Sequence, residues 1–321
     1  MEKIILNFLY FIRLHSLLHA LIPRKAITVI CLHEIVKKTK YTKPIDNEVF
    51  ERLIQYLINK FEIITFDDVP NIISGGYSGK RKLIISFDDG HISFKENVLP
   101  ILKKYEIKVN HNIVVNCMLG KSIIWTDKLN QIYEYASQQK SYEIILGKEK
   151  FKFGKSQNNK KNYQDLYKKL LLLSEGQREF ILKKFNLEFN YKTKYLTQND
   201  LIENKKYIEI GSHGLNHTCY NNNENLDILK EDLLKSKKIL ENNLNIETLT
   251  YALPNGEGTK LFEERILNKK IYKYILTTKS EKWYPEKTKI VPRISIYKSN
   301  YHEIIFQLYN VYGFIYNLRF Q

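Results

Sequence analysis

Apolar segments alternate with amphipathic segments along most of the chain. The β-branched, apolar run at 27–33 (ITVICLH) predicts a buried strand. Similar runs predict further strands at 62–66, 82–87, 107–115, 207–212, 248–253, 272–278 and 290–296. Apolar residues at helical spacing predict helices over 50–61, 93–105, 224–242 and 259–270. Strands that alternate with helices indicate a parallel sheet, and about seven such units favour a closed barrel over an open sheet.

One internal stretch, residues 119–195, departs from this alternation. It is rich in lysine and helical patterns and poor in strand signals, and the α/β pattern resumes after it. We therefore expect a helix-rich insertion that lies beside the catalytic rim of the barrel and covers part of the cleft. The predicted organisation is an N-terminal helix at 1–26, a barrel at 27–118 and 196–303, the insertion at 119–195 and a C-terminal apolar helix at 304–321.

Composition narrows the class of protein. Hydrophobic residues make up 43% of the 321 residues, enough for a core of normal size. The net charge is +16, from 51 basic and 35 acidic residues, but lysine and asparagine are spread evenly along the chain. We find no helix-turn-helix pattern, zinc-finger spacing or aromatic-basic RNA-binding pattern, so we do not expect nucleic acid as a partner.

The cysteines and the chain termini bear on location. Three cysteines without a CxxC pair argue against a disulfide scaffold and fit a reducing compartment. The apolar run at 4–12 is short for a membrane span, and Arg13 interrupts it; no small-x-small cleavage site follows. It either packs on the domain or lies on a membrane surface, whereas core packing is favoured for the apolar stretch at 304–320. We expect a cytoplasmic protein, with peripheral contact to the inner face of the membrane as an alternative to a purely cytosolic one.

Two short motifs carry candidate chemistry, and each directly follows an apolar strand. One is SFDDG at 86–90 and the other is GSHGLNHT at 211–218. Alone, an Asp-Asp-Gly is often a turn and an HxxxH pair is usually surface or core. Together, two imidazoles and one carboxylate with an open position form a catalytic site for a divalent ion such as Zn²⁺, and the second carboxylate is free to act as a base. A third strand ends in Pro254-Asn255-Gly256.

At these positions the sequence resembles the polysaccharide deacetylases, the NodB-homology group of carbohydrate esterases. The family signatures T/S-F-D-D-G, H-S/T-x-x-H and Pro-Tyr-Gly correspond to 86–90, 213–217 and 254–256 of this chain. The resemblance covers most of the chain outside 119–195, including the final VPRI at 291–294. It implies a distorted (β/α)7-type barrel and the removal of N-acetyl groups from an N-acetylated sugar in a surface polysaccharide or its precursor.

The resemblance also implies residue roles. Asp89, His213 and His217 match the metal ligands, Asp88 matches the catalytic base, and the backbone N–H of Asn255 matches the oxyanion donor. The chain departs from the family at three places on these strand ends. Asn255 stands where tyrosine is usual. Gly214 replaces the usual Ser or Thr, which removes one hydrogen bond to the metal loop. Ala252 stands where many members carry an arginine that orients the base.

Two further roles are assigned with alternatives. Arg293 either orients the base in place of that arginine or forms a surface ion pair. The family uses a histidine after an apolar strand as general acid, and His33 in VICLH has this form at the first strand, as in members that look circularly permuted. We assign His33 as the acid; the alternatives are a buried core histidine and, for the acid, His91.

Two other kinds of function are alternatives to sugar deacetylation. A catalytically silent glycan-binding protein has no reason to retain both aspartates and both histidines. A hydrolase of a non-sugar amide uses the same scaffold, and specificity loops decide between the two substrates. The sequence predicts neither the particular sugar nor an oligomeric state.

Overall fold

The structure is a computed structural model that describes residues 2–36, 45–155, 157–184, 195–219, 226–256, 266 and 270–311. In this part of the chain, no helix combines the length and the apolar character needed to span a bilayer.

Eleven strands form a nine-stranded sheet and a separate hairpin in the described residues. The sheet strands are β1 (Ile27–Leu32), β2 (Phe61–Ile63), β3 (Arg81–Phe87), β4 (Val109–Ile113), β7 (Ile208–Ser212), β8 (Thr250–Ala252), β9 (Tyr274–Thr277), β10 (Ile290–Pro292) and β11 (Ile294–Ser295). Their order is β10-β9-β8-β7-β4-β3-β1-β11, with β2 beside the start of β3. Every pairing in it is parallel, as the alternation of strands and helices predicts.

The barrel closes through a strand that changes neighbours at Arg293. β10 pairs with β9 on one side of this residue, and β11 pairs with β1 on the other. Pro292 ends β10, and a proline has no N–H to donate to a ladder. The ring therefore consists of β1, β3, β4, β7, β8, β9 and the split last strand, which confirms the prediction of a distorted (β/α)7-type barrel. The single strand predicted over 290–296 is two short ones.

Helices surround the sheet. Those of the barrel and termini are α1 (Glu2–Phe11), α2 (Leu14–Ala20), α3 (Asn47–Lys60), α4 (Val69–Ser74), α5 (Leu99–Lys104), α6 (Val115–Met118), α10 (Gln198–Glu203), α11 (Leu226–Leu244) and α12 (Tyr301–Leu308). The side chain of Asp46 accepts a hydrogen bond from the Val49 N–H at the start of α3, so this helix begins earlier than the apolar pattern alone predicts.

Several predicted helices differ from those observed. The single helix expected over 93–105 is a π-helix at Phe94–Val98 followed by α5, because Pro100 cannot donate the N–H that an uninterrupted α-helix needs. The N-terminal helix expected over 1–26 is two helices, joined where Arg13 adopts a left-handed φ of 58°. The C-terminal helix begins at Tyr301, and residues 312–321 lie outside the described residues. Most of the helix predicted over 259–270 also lies outside them.

The insertion contains helices and a hairpin. Its elements are α7 (Trp125–Gln138), β5 (Tyr142–Leu146), β6 (Glu149–Phe153), α8 (Asn159–Leu171) and α9 (Glu175–Lys184). β5 and β6 pair antiparallel across Gly147, whose φ is 61°. The sequence did not predict this hairpin. The insertion has its own apolar core, which includes Trp125, Phe153 and Leu170.

Candidate functional site

The residues singled out by the sequence lie at the C-terminal ends of the strands. In a parallel barrel these ends share one rim, the usual place for chemistry. The positions are His33 after β1, Asp88 and Asp89 after β3, His213 after β7, Asn255 in the 3-10 turn at Pro254–Gly256 after β8, and Arg293 between β10 and β11.

Asp89, His213 and His217 converge on one point. One donor atom from each lies within 4.8 Å of the others. The Oδ1 atom of Asp89 is 3.4 Å from Nε2 of His213 and 3.6 Å from Nε2 of His217. Ligands about 2.1 Å from a tetrahedral ion lie roughly 3.4 Å apart. The spacing of these three atoms therefore fits a bound divalent ion.

The hydrogen bonds around the cluster leave its donor atoms available. Nδ1 of His213 lies 2.9 Å from the carbonyl oxygen of Ala252; since a carbonyl only accepts, this nitrogen carries the proton and Nε2 is free to bind a metal. The Asp89 Oδ1 atom is buried and has no hydrogen-bond partner among the described residues. A buried carboxylate oxygen without a partner is costly, and a cation at this point would satisfy it.

The pKa values of the three residues are shifted. Burial raises the pKa of Asp89, but the nearby imidazoles of His213 and His91 outweigh it and hold that pKa well below its ordinary value. Burial, together with the nearby His213, lowers the pKa of His217 to about 3. The pKa of His213 is raised, because the carboxylates of Asp88 and Asp89 outweigh the effect of burial. At neutral pH, Asp89 is ionised and His217 is neutral, the states that metal ligation requires. The raised pKa of His213 favours its protonated form, so metal binding there would displace a proton from Nε2.

Left-handed backbone conformations occur within the cluster. Asp89 and His217 adopt φ values of 75° and 59°, and Asn255 has a φ of 61°. Such values are uncommon for residues with a Cβ, although Asp, Asn and His adopt them more readily than most. Six other residues of the described chain share this conformation away from the cluster, so it does not by itself mark the site.

The loop at 213–217, which holds two of the candidate metal ligands, lacks the side-chain hydrogen bond that a Ser or Thr at position 214 would make. Other hydrogen bonds take its place. The backbone N–H of Leu215 donates to the Asp232 carboxylate on α11 at 2.6 Å, and the N–H of Gly214 donates to the Ser212 hydroxyl at 3.2 Å. A Cβ on residue 214 would lie 2.9 Å from Asp232 Oδ2. The departure from the family pattern at Gly214 thus leaves room for a different anchor, Asp232.

Asp88 is held by donors on both of its oxygens. Arg293 donates Nη1 to Oδ1 at 2.7 Å and Nη2 to Oδ2 at 2.8 Å. Nδ2 of Asn112 donates to Oδ1 at 2.8 Å, and the Cys31 thiol lies 3.4 Å from Oδ2. Burial raises the pKa of Asp88, but Arg293 and His213 outweigh it and hold this pKa well below its ordinary value. Arg293 is fully buried, so the alternative of a surface ion pair is wrong.

A buried polar layer inside the barrel supports this ion pair. The Ser86 hydroxyl bonds to Arg293, Asn110 and Asn112. Thr250 bonds to both asparagines. Gly211 makes room for the layer, because a Cβ there would lie 2.1 Å from Asn112 Oδ1 and Thr250 Oγ1.

Asn112 and Cys31 were missed from the sequence. The available signal for Asn112 was the strand VNHNI, where asparagines two apart face one side of a strand that is buried throughout. Buried polar residues with this period indicate a polar barrel interior.

His33 lies at the same rim, beside Asp88. A ring nitrogen of His33, a carboxylate oxygen of Asp88 and Cys31 Sγ all lie within 4.8 Å of one another. The His33 side chain is exposed, so the alternative of a buried core histidine does not match the structure. Because hydrogen bonds are about 2.8 Å long, a single small group can contact His33 and Asp88 together.

The insertion contacts the barrel rim at His91, a residue of the barrel. The Nε2 atom of His91 lies 3.7 Å from Asp89 Oδ2 and 3.6 Å from Asp127 Oδ2 on α7, and the His91 ring stacks on Tyr195. The Tyr195 hydroxyl donates to Asp127 at 2.5 Å. Burial lowers the pKa of His91, but Asp127, Asp89 and Glu34 outweigh it and raise that pKa to about 10. Asp127, in the first turn of α7, is therefore part of the surroundings of the metal cluster.

Among the candidate site residues, Asn255 has the weakest connection to the others. Its Nδ2 atom is buried without a hydrogen-bond partner among the described residues. It lies three residues after Ala252, whose carbonyl binds His213. Its assignment as oxyanion donor stays a prediction.

Comparison with solved structures shows similar folds at low sequence identity. Streptococcus pyogenes deacetylase PplD in complex with acetate has a TM-score of 0.59 and 17% identity, over 88% of this chain and 97% of that one. IcaB from Ammonifex degensii has a TM-score of 0.57 and 14% identity, over 88% and 97%. BC0361, a polysaccharide deacetylase from Bacillus cereus, has a TM-score of 0.56 and 14% identity, over 88% and 69%. The chain shares the fold of these proteins.

Sequence comparisons add nothing to this result. No protein-family model matches the chain, and no curated protein sequence matches it.

Proposed function

We propose that the protein is a metal-dependent hydrolase that removes N-acetyl groups from an N-acetylated sugar in a surface polysaccharide or its precursor. One observation supports the proposal above all. Asp89, His213 and His217 converge on one point, and beside them the carboxylate of Asp88 is held in an ion pair with Arg293. A cluster with three metal ligands, a separate carboxylate and a nearby histidine has the parts needed for amide hydrolysis. Similar solved structures described as deacetylases add support by analogy of fold.

Asp89, His213 and His217 would hold the metal, for which we expect Zn²⁺. Two imidazoles and one carboxylate are a common ligand set of catalytic zinc, with a further position open. When bound, the ion supplies Lewis acidity to a carbonyl oxygen and increases the acidity of water.

Asp88 is the base in this proposal, and Oδ2 is the atom that accepts the proton. Oδ1 already has two short hydrogen bonds, from Arg293 and Asn112. Oδ2 has one short bond and the longer contact from Cys31, so it keeps a lone pair for water. Its low pKa keeps Asp88 ionised at neutral pH, and Arg293 holds it in position.

His33 is the acid that protonates the departing amine. An amine leaves poorly unless it is protonated, and an imidazole near neutral pKa suits this transfer. Because His33 lies beside Asp88, this proton donor and this proton acceptor can both reach groups that are bonded to the same tetrahedral carbon. The backbone N–H of Asn255 is the proposed oxyanion donor. Products are acetate and a free amino sugar.

We also propose that the protein acts in the cytoplasm, on a precursor of the surface polysaccharide. A lipid-linked precursor is included in this proposal. All three cysteines are buried and unpaired, as in a reducing compartment. The insertion is the proposed lid, because its residue Asp127 reaches the rim at His91.

The test measures metal content and acetate release on the purified protein. Bound zinc and acetate release from N-acetylglucosamine oligomers are expected for the wild type. His217→Ala should lose both, whereas Asp88→Asn should keep the metal and lose about 10²–10⁴-fold in turnover. Absence of metal, or unchanged acetate release from Asp88→Asn, would contradict the proposal.

The alternatives are separate outcomes of this experiment. A silent glycan-binding protein would bind the oligomers and release no acetate under any metal condition. A hydrolase of a non-sugar amide would release acetate from small N-acetyl compounds and leave the oligomers intact.

A further inference from the structure

The α1–α2 hairpin has one face on the barrel and one face in solvent. Leu6, His15 and Ile22 are buried on the inner side. The Tyr10 ring stacks on His302 of α12, and Arg81, at the start of β3, donates to the carbonyl oxygens of Ala20 and Ile22. These contacts fix the orientation of the hairpin on the barrel wall.

The outer face of the hairpin is apolar. Its large side chains are between 52% and 84% exposed, and they are Phe8, Phe11, Ile12, Leu17 and Leu21. Phe8 and Phe11 on α1 and Ile12 directly after it follow i, i+3, i+4 spacing, and Leu17 on α2 and Leu21 directly after it are four apart, so each group lies on one side of its helix. The other exposed large hydrophobic residues of the described chain are spread over the insertion and several other elements. We call these five residues the outer face.

Positive charge borders the outer face. Arg13, in the turn between the helices, and Arg24 and Lys25, after α2, are exposed. The sequence has no aspartate or glutamate between Lys3 and Glu34. An apolar face with several exposed basic residues beside it is complementary to a bilayer with anionic headgroups, where apolar side chains enter the interface and cations stay at the phosphates.

We propose that the outer face docks this protein onto an anionic membrane surface. An acidic protein groove would pair with the same basic residues, but it would need a shape that matches side chains from two separate short helices, whereas the fluid interface of a bilayer needs no such match. Contact is peripheral, since α1 has ten residues and α2 has seven. The hairpin contacts the N-terminal end of β3, and Asp88 follows the opposite end of that seven-residue strand, roughly 20 Å away at strand geometry. Docking therefore leaves the catalytic rim uncovered.

The first test is sedimentation of the full chain with lipid vesicles, which requires no activity. The wild type should bind vesicles of phosphatidylcholine with phosphatidylglycerol and bind pure phosphatidylcholine weakly. Phe8→Ser with Phe11→Ser should reduce binding at least about tenfold. Arg13→Gln and Lys25→Gln should each reduce binding to the anionic vesicles by about fivefold. Phe180→Ser, at an equally exposed phenylalanine in the insertion, should bind as the wild type does.

The second test places a reporter on the outer face. Both tryptophans, Trp125 and Trp283, are buried, so Phe11→Trp adds the one exposed indole. Its emission should shift to the blue and become protected from acrylamide when anionic vesicles are added. Protection before lipid is added would mean that another part of the chain or a second copy covers the outer face, which overturns the proposal. Equal vesicle binding by the wild type and the Phe8→Ser/Phe11→Ser variant, or no binding by the wild type, overturns it as well. Circular dichroism checks that the variants are folded.

Discussion

Arg293 and Asp88 form a bidentate ion pair inside the barrel, at the point where the ring of strands closes. Arg293 separates β10 from β11, and its Nε atom donates to the Thr277 carbonyl of β9. The guanidinium thus joins the closure of the fold to the carboxylate proposed as the base. Both partners are buried, so each charge depends on the other.

Removing one partner of this pair should destabilise the fold more than removing both. Arg293→Met should cost about 3–5 kcal/mol because it leaves a buried carboxylate without its counter-ion. Arg293→Met with Asp88→Asn should regain a large part of that loss and remain inactive. Urea unfolding with the metal chelated measures the first effect, and acetate release the second. Additive losses in the double variant would show that the two charges are independent.

His33 should matter for the leaving group and not for the metal. We expect His33→Ala and His33→Gln to keep the wild-type zinc content and to lower kcat on an N-acetyl sugar by about 10²–10⁴-fold. The loss should be much smaller on p-nitrophenyl acetate, whose leaving group needs no protonation. His302→Ala, at a partly exposed histidine that packs on α1, is the matched control. Wild-type turnover in the His33 variants would move the acid role elsewhere, with His91 next.

The fold and the motif residues could be predicted because each depends on local sequence. Apolar runs ending at Asp88 and His213 mark strand ends, and parallel strands bring such ends to one rim. Alternation of strands and helices likewise predicted the parallel barrel.

Other parts of the site depend on which strands are neighbours. Asn112 reaches Asp88 only because β4 lies beside β3, and Cys31 does so because β1 lies on the other side. The split of the last strand depends on barrel closure, which no local pattern encodes. The hairpin β5–β6 was missed for a different reason: its lysines and glutamates resemble those of the surrounding helices, although Gly147 marks its turn.

Gly211 should tolerate no side chain, because of the polar layer beside it. A Cβ would meet Asn112 and Thr250 at 2.1 Å, and both are buried and hydrogen-bonded. We expect Gly211→Ala to destabilise the protein by about 1–3 kcal/mol and to lower kcat by displacing Asn112 from Asp88. Gly176→Ala is the control, since a Cβ at this position of α9 meets nothing within 4 Å. It should leave kcat unchanged and stabilise the helix by up to about 1 kcal/mol. Equal stability of the two variants would argue against a rigid polar layer.

Glu209 on β7 should make stability fall as pH rises from about 5 to 8. Its carboxyl is buried and accepts the N–H groups of Phe66 and Asp67, and burial outweighs these bonds and raises its pKa from 4.5 to about 7. A raised folded-state pKa means that the folded protein holds a proton that the unfolded chain has released. The resulting stability is complete below the unfolded pKa and is lost as pH rises through about 7. Glu209→Gln cannot titrate, so urea unfolding should show its stability improving relative to the wild type by about 2.5 kcal/mol between pH 5 and pH 8. A difference between the two proteins that is constant with pH would mean that Glu209 stays ionised in the folded state.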